Sequence, residues 1–204
     1  MLSTLSQGTL KLFGWKLKHP QQDVKGCIVI GAPHTTNWDL PITLLTFWGL
    51  KLKCHWAMKD SMFFFPLGCL FRAMGGIPVN RKVRNDFLRV IQERFAQNKD
   101  FNIAIAPEGT RSYTDHWKFG FYQLAMEVNA DIALAFADYE KKEIGIAKVF
   151  TPCGDIEKDF SIFKDFYADV QGRYPEKQSD VALRPKELKL FQRKSKQQAT
   201  EKAL

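Results

Sequence analysis

The sequence has no apolar run long enough to span a bilayer. The longest uncharged apolar stretch, Met62 to Phe71, is too short to cross and contains Pro66 and Gly68. Its aromatic and methionine content would suit an acyl-chain slot, but core packing is the more ordinary reading. The start has no basic region followed by an apolar region and a small-residue cleavage site, so no signal peptide is expected. Closely paired cysteines are also missing. Cys27, Cys54, Cys69 and Cys153 show no zinc-like or thioredoxin-like spacing, and three of them lie in apolar runs, which reads as reduced thiols of a cytosolic protein. No Pro/Gly/Ser-rich linker, repeat or low-complexity tract divides the chain. With 204 residues, 45% of them apolar, a single domain over residues 1–204 is expected.

Net charge is absent from the middle of the chain. The formal excess of +8 sits at the ends: residues 1–20 carry Lys11, Lys16 and Lys18 with no acid, and the tail 184–204 carries seven Lys or Arg against Glu187 and Glu201. Basic ends suit an anionic partner such as a membrane surface or an acidic carrier protein, with a solubilising tail as the plain alternative. A nucleic-acid reader normally carries its charge on the folded face, so the neutral middle argues against nucleic acid. The lead-in, residues 1–20, interleaves leucines, Phe13 and Trp15 with lysines. That pattern fits a helix lying on a bilayer and equally a first helix packed on the core.

What is present is a repeated arrangement of strand, polar cluster and helix. Cys27 to Ala32 is a β-branched run followed by Pro33 and the segment His34-Thr35-Thr36-Asn37-Trp38-Asp39, and a helix is expected from about Asp39 to Gly49. A strand follows over Lys51 to Lys59, then a helix from near Pro66. Ile77 to Val79 forms a short edge-like strand ending at Asn80-Arg81-Lys82. An amphipathic helix over Asn85 to Asn98 precedes the strand Phe101 to Ala106, which ends at Pro107-Glu108-Gly109-Thr110-Arg111-Ser112. Trp117-Lys118-Phe119-Gly120 leads into a helix to about Asn129. Two strands, Ile132 to Ala137 and Glu143 to Phe150, and a helix near Ile156 to Val170 complete the pattern. This predicts an α/β fold in one domain, with a mixed, largely parallel sheet flanked by helices. The clusters at His34, Arg81 and Glu108 to Arg111 should then meet at one sheet edge, where such folds bind ligands.

Taken alone, Asp39 reads as a helix cap and His34 as a surface histidine. Five residues along an ideal helix would place them about 140° apart, so they meet only if His34 lies on the loop. The other motifs change the reading. His34-x-x-x-x-Asp39, Gly75 to Arg81 and Pro107 to Ser112 resemble, in order and spacing, the first three motifs of the glycerophospholipid acyltransferases, which include the bacterial lysophosphatidic acid acyltransferases. Trp117 to Gly120 is similar to that family's Phe-Lys-x-Gly stretch, so the resemblance covers about Ile28 to Ala137. Two departures stand out. The strand after the Lys118 helix lacks the family's usual proline, and Asn80 precedes Arg81 where many members carry an acid or another residue.

The resemblance implies His34 as general base with Asp39 as its partner, and Arg81, Glu108, Gly109, Thr110, Arg111 and Lys118 as substrate-binding residues. It implies acyl-CoA or acyl carrier protein as co-substrate, with no cofactor, and a lysolipid acceptor; the spacing fits no common metal motif, and the basic ends, with no spanning run, add a peripheral cytoplasmic place on the inner face of a membrane. The chemistry agrees. Moving an acyl group from a thioester to an alcohol requires a base near pH 7, which imidazole supplies, while a carboxylate holds its tautomer. Arg81 and Arg111 offer planar forks for phosphate and Lys118 a point charge. Glu108 could orient an arginine or accept a hydrogen bond from the acceptor's glycerol. Thr35, Thr36 and amides near Gly109 are the candidate oxyanion donors. Three other readings remain: a thioesterase-type hydrolase using the same base, a metal-dependent hydrolase using His34, Asp39, Glu108 and Asp115 or His116, and a basic binding module without catalysis.

Overall fold

Cys27–Ala32 (β2) is buried along nearly its whole length, as expected of a central strand covered on both faces. Its alternation sorts the core into two layers. Ile28, Ile30 and Ala32 point into one cluster, while Cys27 and Val29 point into another. The computed structural model describes residues 1–79 and 84–185, with backbone alone for 84–87. Arg81 of the second motif and nearly all of the basic tail therefore lie outside the described residues.

Around β2 the chain builds a seven-stranded sheet. In chain order its other strands are Lys16–Lys18 (β1), His55–Lys59 (β3), Gly76–Val79 (β4), Ile103–Ile105 (β5), Asp131–Asp138 (β6) and Glu143–Phe150 (β7). The spatial order is β1-β7-β6-β2-β5-β3-β4. Strands β6, β2, β5, β3 and β4 run parallel; β7 turns back antiparallel to β6, and β1 pairs parallel with β7. The fold is therefore α/β with a mixed, mostly parallel sheet. The chain leaves β2 and the adjacent β5 for helices on opposite faces of the sheet, the arrangement in which such folds bind ligands outside the carboxyl ends of the strands.

The helices are Leu2–Leu12 (α1), Asp39–Gly49 (α2), Leu67–Ala73 (α3), Arg84–Gln97 (α4), Gly120–Val128 (α5) and Ile156–Tyr167 (α6). Residues of α4, α5 and α6, including Ile91, Leu124 and Phe163, cover the Ile28 side of the sheet. Helix α2 covers the opposite side through Phe47, and Leu10 of α1 packs with Ile42 and Leu45 of α2. Asn129 ends α5 in the left-handed conformation at φ 51°, which asparagine tolerates better than most residues. Asp155 caps α6 by accepting from the Glu157 and Lys158 amides.

One buried side chain ties the strand entrances together. Asn102, 3% exposed, accepts from the Cys27 amide at 2.9 Å and donates to the Val24 and Lys53 carbonyls, each at 3.1 Å. The buried Tyr167 hydroxyl lies between the carbonyls of Ala135 (2.8 Å) and Ile30 (3.0 Å) on the adjacent strands β6 and β2.

The structure corrects several sequence expectations. Residues 1–20 are not one amphipathic element but α1 followed by the edge strand β1, and Trp15 is buried edge-on against Tyr139 with the Lys142 ammonium over its ring. Helix α1 is anchored by Leu10, yet Leu2, Leu5, Leu12 and Phe13 stay exposed. Strand β3 starts at His55 because Lys51 turns the chain at φ 56°. Helix α6 ends at Tyr167, short of Val170. The apolar stretch around Pro66 is only partly core: Phe63 and Phe71 pack on Trp56, while Phe64, Phe65, Leu67 and Leu70 are exposed. Among the described residues no helix is long and apolar enough to cross a membrane.

Candidate active site

The loop between β2 and α2 is wrapped around one carboxylate. Asp39 Oδ2 lies 2.9 Å from His34 Nδ1 and accepts from the Thr35 and Thr36 amides, each at 3.0 Å. Its other oxygen, Oδ1, accepts from the Tyr139 hydroxyl at 2.7 Å. His34 meets Asp39 because it sits on the loop, with Asp39 as the first residue of α2. The Asp39 side chain is 9% exposed and that of His34 28%, so the carboxylate is enclosed while the imidazole reaches the surface. Engaging Nδ1 with Asp39 fixes the ring and leaves Nε2 as the nitrogen that can take a proton. Burial, with the Asp39 carboxylate beside it, pushes the Tyr139 phenol well above its ordinary range, so the hydroxyl remains a donor.

The third motif lies beneath this loop. Glu108 follows β5, is 1% exposed, accepts from the His34 amide at 3.0 Å through Oε1, and takes the Ser179 hydroxyl at 3.5 Å through Oε2. The sequence suggested contact with an arginine or the acceptor's glycerol; among the described residues its partners are the backbone of the base and a serine of the C-terminal segment. Burial raises the Glu108 carboxyl to about 7, against the lowering effect of the two donors.

This shift has a consequence for stability. A carboxyl whose folded pKa lies above its ordinary value keeps its proton in the folded protein after the unfolded chain has lost it. Its contribution is therefore full below about 4.5 and is lost as pH rises to about 7. Glu108→Gln fixes the neutral form and can donate to the Ser179 oxygen. Between pH 4.5 and 7.5, denaturant unfolding should show the variant gaining roughly 3 kcal/mol relative to wild type. A parallel pH dependence of the two proteins would show that Glu108 does not titrate in this way.

Gly109 has φ +66°, a conformation that favours glycine, and a Cβ there would lie 2.5 Å from Lys118 Nζ, so a side chain at this turn would displace that of Lys118. The Lys118 amide donates to the Pro107 carbonyl at 2.8 Å, joining the third motif to the segment before α5. Arg111 and Lys118 are exposed, and Thr110 accepts from the Ser112 amide at 3.3 Å. The proposed oxyanion donors are mostly committed elsewhere: the Thr35 and Thr36 amides serve Asp39, and the Gly109 amide donates to the Ala106 carbonyl at 3.1 Å. His116 Nδ1 pairs with Asp115, its neighbour. Among the described residues no three His, Cys, Asp or Glu side chains cluster as metal ligands.

Two contributors were not found in the sequence. Tyr139 follows the carboxyl end of β6, and no local pattern marks it. The polar segment after α6 is the other. The Tyr139 amide donates to the Gln171 carbonyl at 2.8 Å, the Tyr174 amide donates to Thr35 Oγ1 at 3.2 Å, and Ser179 reaches Glu108. A Cβ on Gly172 would lie 2.9 Å from Thr35 Cγ2, which shows how closely this segment lies on the loop.

The architecture has a counterpart among solved structures. The crystal structure of the 1-acyl-sn-glycerophosphate (LPA) acyltransferase, PlsC, from Thermotoga maritima aligns with a TM-score of 0.56 at 14% identity, covering 85% of this chain and 79% of that one, a likeness of fold. No curated protein matches the sequence. A family model described as Acyltransferase matches residues 16–135, from β1 through most of β6, and by that match over more than half its length the chain belongs to the acyltransferase family.

Proposed function

We propose that the protein transfers a fatty acyl group from a thioester donor, acyl-CoA or acyl carrier protein, to a hydroxyl of a lysophospholipid-like acceptor. The observation that carries this reading is the His34–Asp39 pair, with Nδ1 held at 2.9 Å and the carboxylate enclosed by three further donors. In the reaction His34 Nε2 takes the acceptor's hydroxyl proton as the oxygen bonds to the thioester carbonyl carbon. Asp39 stabilises the imidazolium. The tetrahedral intermediate then expels the thiolate, the C–S bond breaks, and the proton passes from Nε2 to sulfur. No enzyme nucleophile takes part. Arg81, Arg111 and Lys118 are assigned to the substrate's phosphate, while Gly109 and Thr110 shape the turn and Glu108 holds the base's backbone.

A lipid acceptor also gives a use to surface features that a soluble substrate leaves unexplained. Phe65 is 86% exposed and Leu12 82%, and Phe64, Leu70 and Phe13 are exposed as well. Together with the basic ends, these side chains suit peripheral attachment to the cytoplasmic face of a membrane. The test is thiol release from acyl-CoA and acyl-carrier-protein donors, with and without lysophosphatidate or other lysolipids. Acceptor-dependent release is expected. Release that ignores the acceptor would identify a thioesterase built on the same base, and no release from any donor would remove the transferase reading.

A further inference from the structure

We propose that Arg173 and Lys177, gathered around Tyr174 beside the His34 loop, form a binding subsite for a phosphate group of one of the substrates. The inference rests on the acyl-transfer reading for the identity of its ligand. It adds a site beyond residues 16–135, the span that the family model matches.

Three observations place cations at this position. The backbone is built onto the active-site loop: Gly172 packs on Pro33 and Thr35, and the Tyr174 amide donates to Thr35 Oγ1 at 3.2 Å. Thr35 in turn gives its own amide to Asp39, so Tyr174 is two hydrogen bonds from the carboxylate of the pair. The Tyr174 ring then collects both charges, with the Arg173 guanidinium 5.7 Å and the Lys177 ammonium 4.5 Å from its centroid. Arg173 also lies close enough to the Tyr139 hydroxyl for its charge to oppose the effect of Asp39 there.

The third observation is the lack of a counter-ion. Among the described residues neither Arg173 nor Lys177 lies within 4 Å of a carboxylate, although Glu176 is on the same turn. Two like charges drawn to one ring, with no anion between them, repel each other until an anion arrives. Phosphate matches them: the guanidinium fork can take two oxygens and the ammonium a third. Both cations are exposed and open to such a ligand. In the proposed reaction the phosphate belongs either to the acceptor's head group or to the donor's CoA or phosphopantetheine arm.

The test uses the full chain and the double variant Arg173→Gln/Lys177→Gln, whose substitutions are at the surface. Kinetics are compared for lysophosphatidate against a phosphate-free monoacylglycerol, and for acyl-CoA against an acyl-N-acetylcysteamine thioester. The KM of one phosphorylated substrate should rise roughly tenfold or more, with its phosphate-free counterpart and kcat little changed. Which KM moves tells whether acceptor or donor supplies the phosphate. Equal effects on both members of a pair, or none, overturn the subsite. Binding of inorganic pyrophosphate by equilibrium dialysis gives a readout independent of turnover. Loss in the double variant supports the subsite even if no acyl transfer is found, and unchanged binding overturns it even if transfer is robust.

Discussion

His34→Ala should lower kcat for acyl transfer by roughly 10²- to 10⁴-fold, the range that a positioned general base contributes. The variant should still fold. The Asp39 carboxylate keeps the Thr35, Thr36 and Tyr139 donors, and the lost imidazole is more exposed than the carboxylate it leaves behind. The measurement is thiol release at saturating donor and acceptor, with circular dichroism and a thermal melt on the same preparation. Turnover within about threefold of wild type in a folded variant would falsify the general-base assignment.

Asp39→Asn should be nearly as damaging to turnover but for a different reason. An asparagine amide group has one acceptor oxygen and one donor nitrogen. The Oδ2 position faces two backbone N–H groups that cannot reverse, so the amide oxygen must take that place. The nitrogen then faces Tyr139, whose hydroxyl can turn from donor to acceptor. The loop and the histidine tautomer are both kept; only the negative charge beside the imidazolium is lost. The expected fall in kcat is roughly 10²- to 10⁴-fold, with little change in KM. Asp39→Ala should add a folding defect, since the buried Thr35 and Thr36 amides lose their acceptor. If Asn and Ala were equally unstable, the carboxylate would not be organising the loop through those amides.

Local pattern was enough to recover the elements that place His34. The boundaries expected for α2 coincide with those observed, and the strand-end clusters at His34 and Glu108 do converge, with the carboxylate 3.0 Å from the His34 amide. These features have local causes: continuous β-branched runs, helix starts at polar residues, and the rule that parallel strands bring their carboxyl ends together. The sequence did not reveal what each group touches. Glu108 and Arg111 belong to one polar string, yet one is enclosed and the other exposed. Only the packing of Ser179 and the His34 backbone over β5 separates them.

Tyr139 and Tyr174 meet Asp39 and Thr35 across 100 and 139 positions of sequence, and neither lies in a patterned segment. Trp15 belongs to a segment whose pattern fits a bilayer surface and core packing equally. Its lysine-rich surroundings resemble an interfacial segment, but pairing of β1 with β7 brings it under Lys142 and against Tyr139.

Asn102 serves as the zero mark of a ruler. By holding the Cys27 amide at the foot of β2, it indexes that strand against β5, so that Ile28 faces Ile103 and His34 emerges over Glu108 at the other end. A slip of one residue would move β2 by about 3.3 Å and turn its side chains to the opposite faces of the sheet. Inserting or deleting one residue within β2 or β5 therefore disconnects the base from its support even in a chain that still collapses. Insertions in the loops that leave this spacing intact do not carry the same penalty.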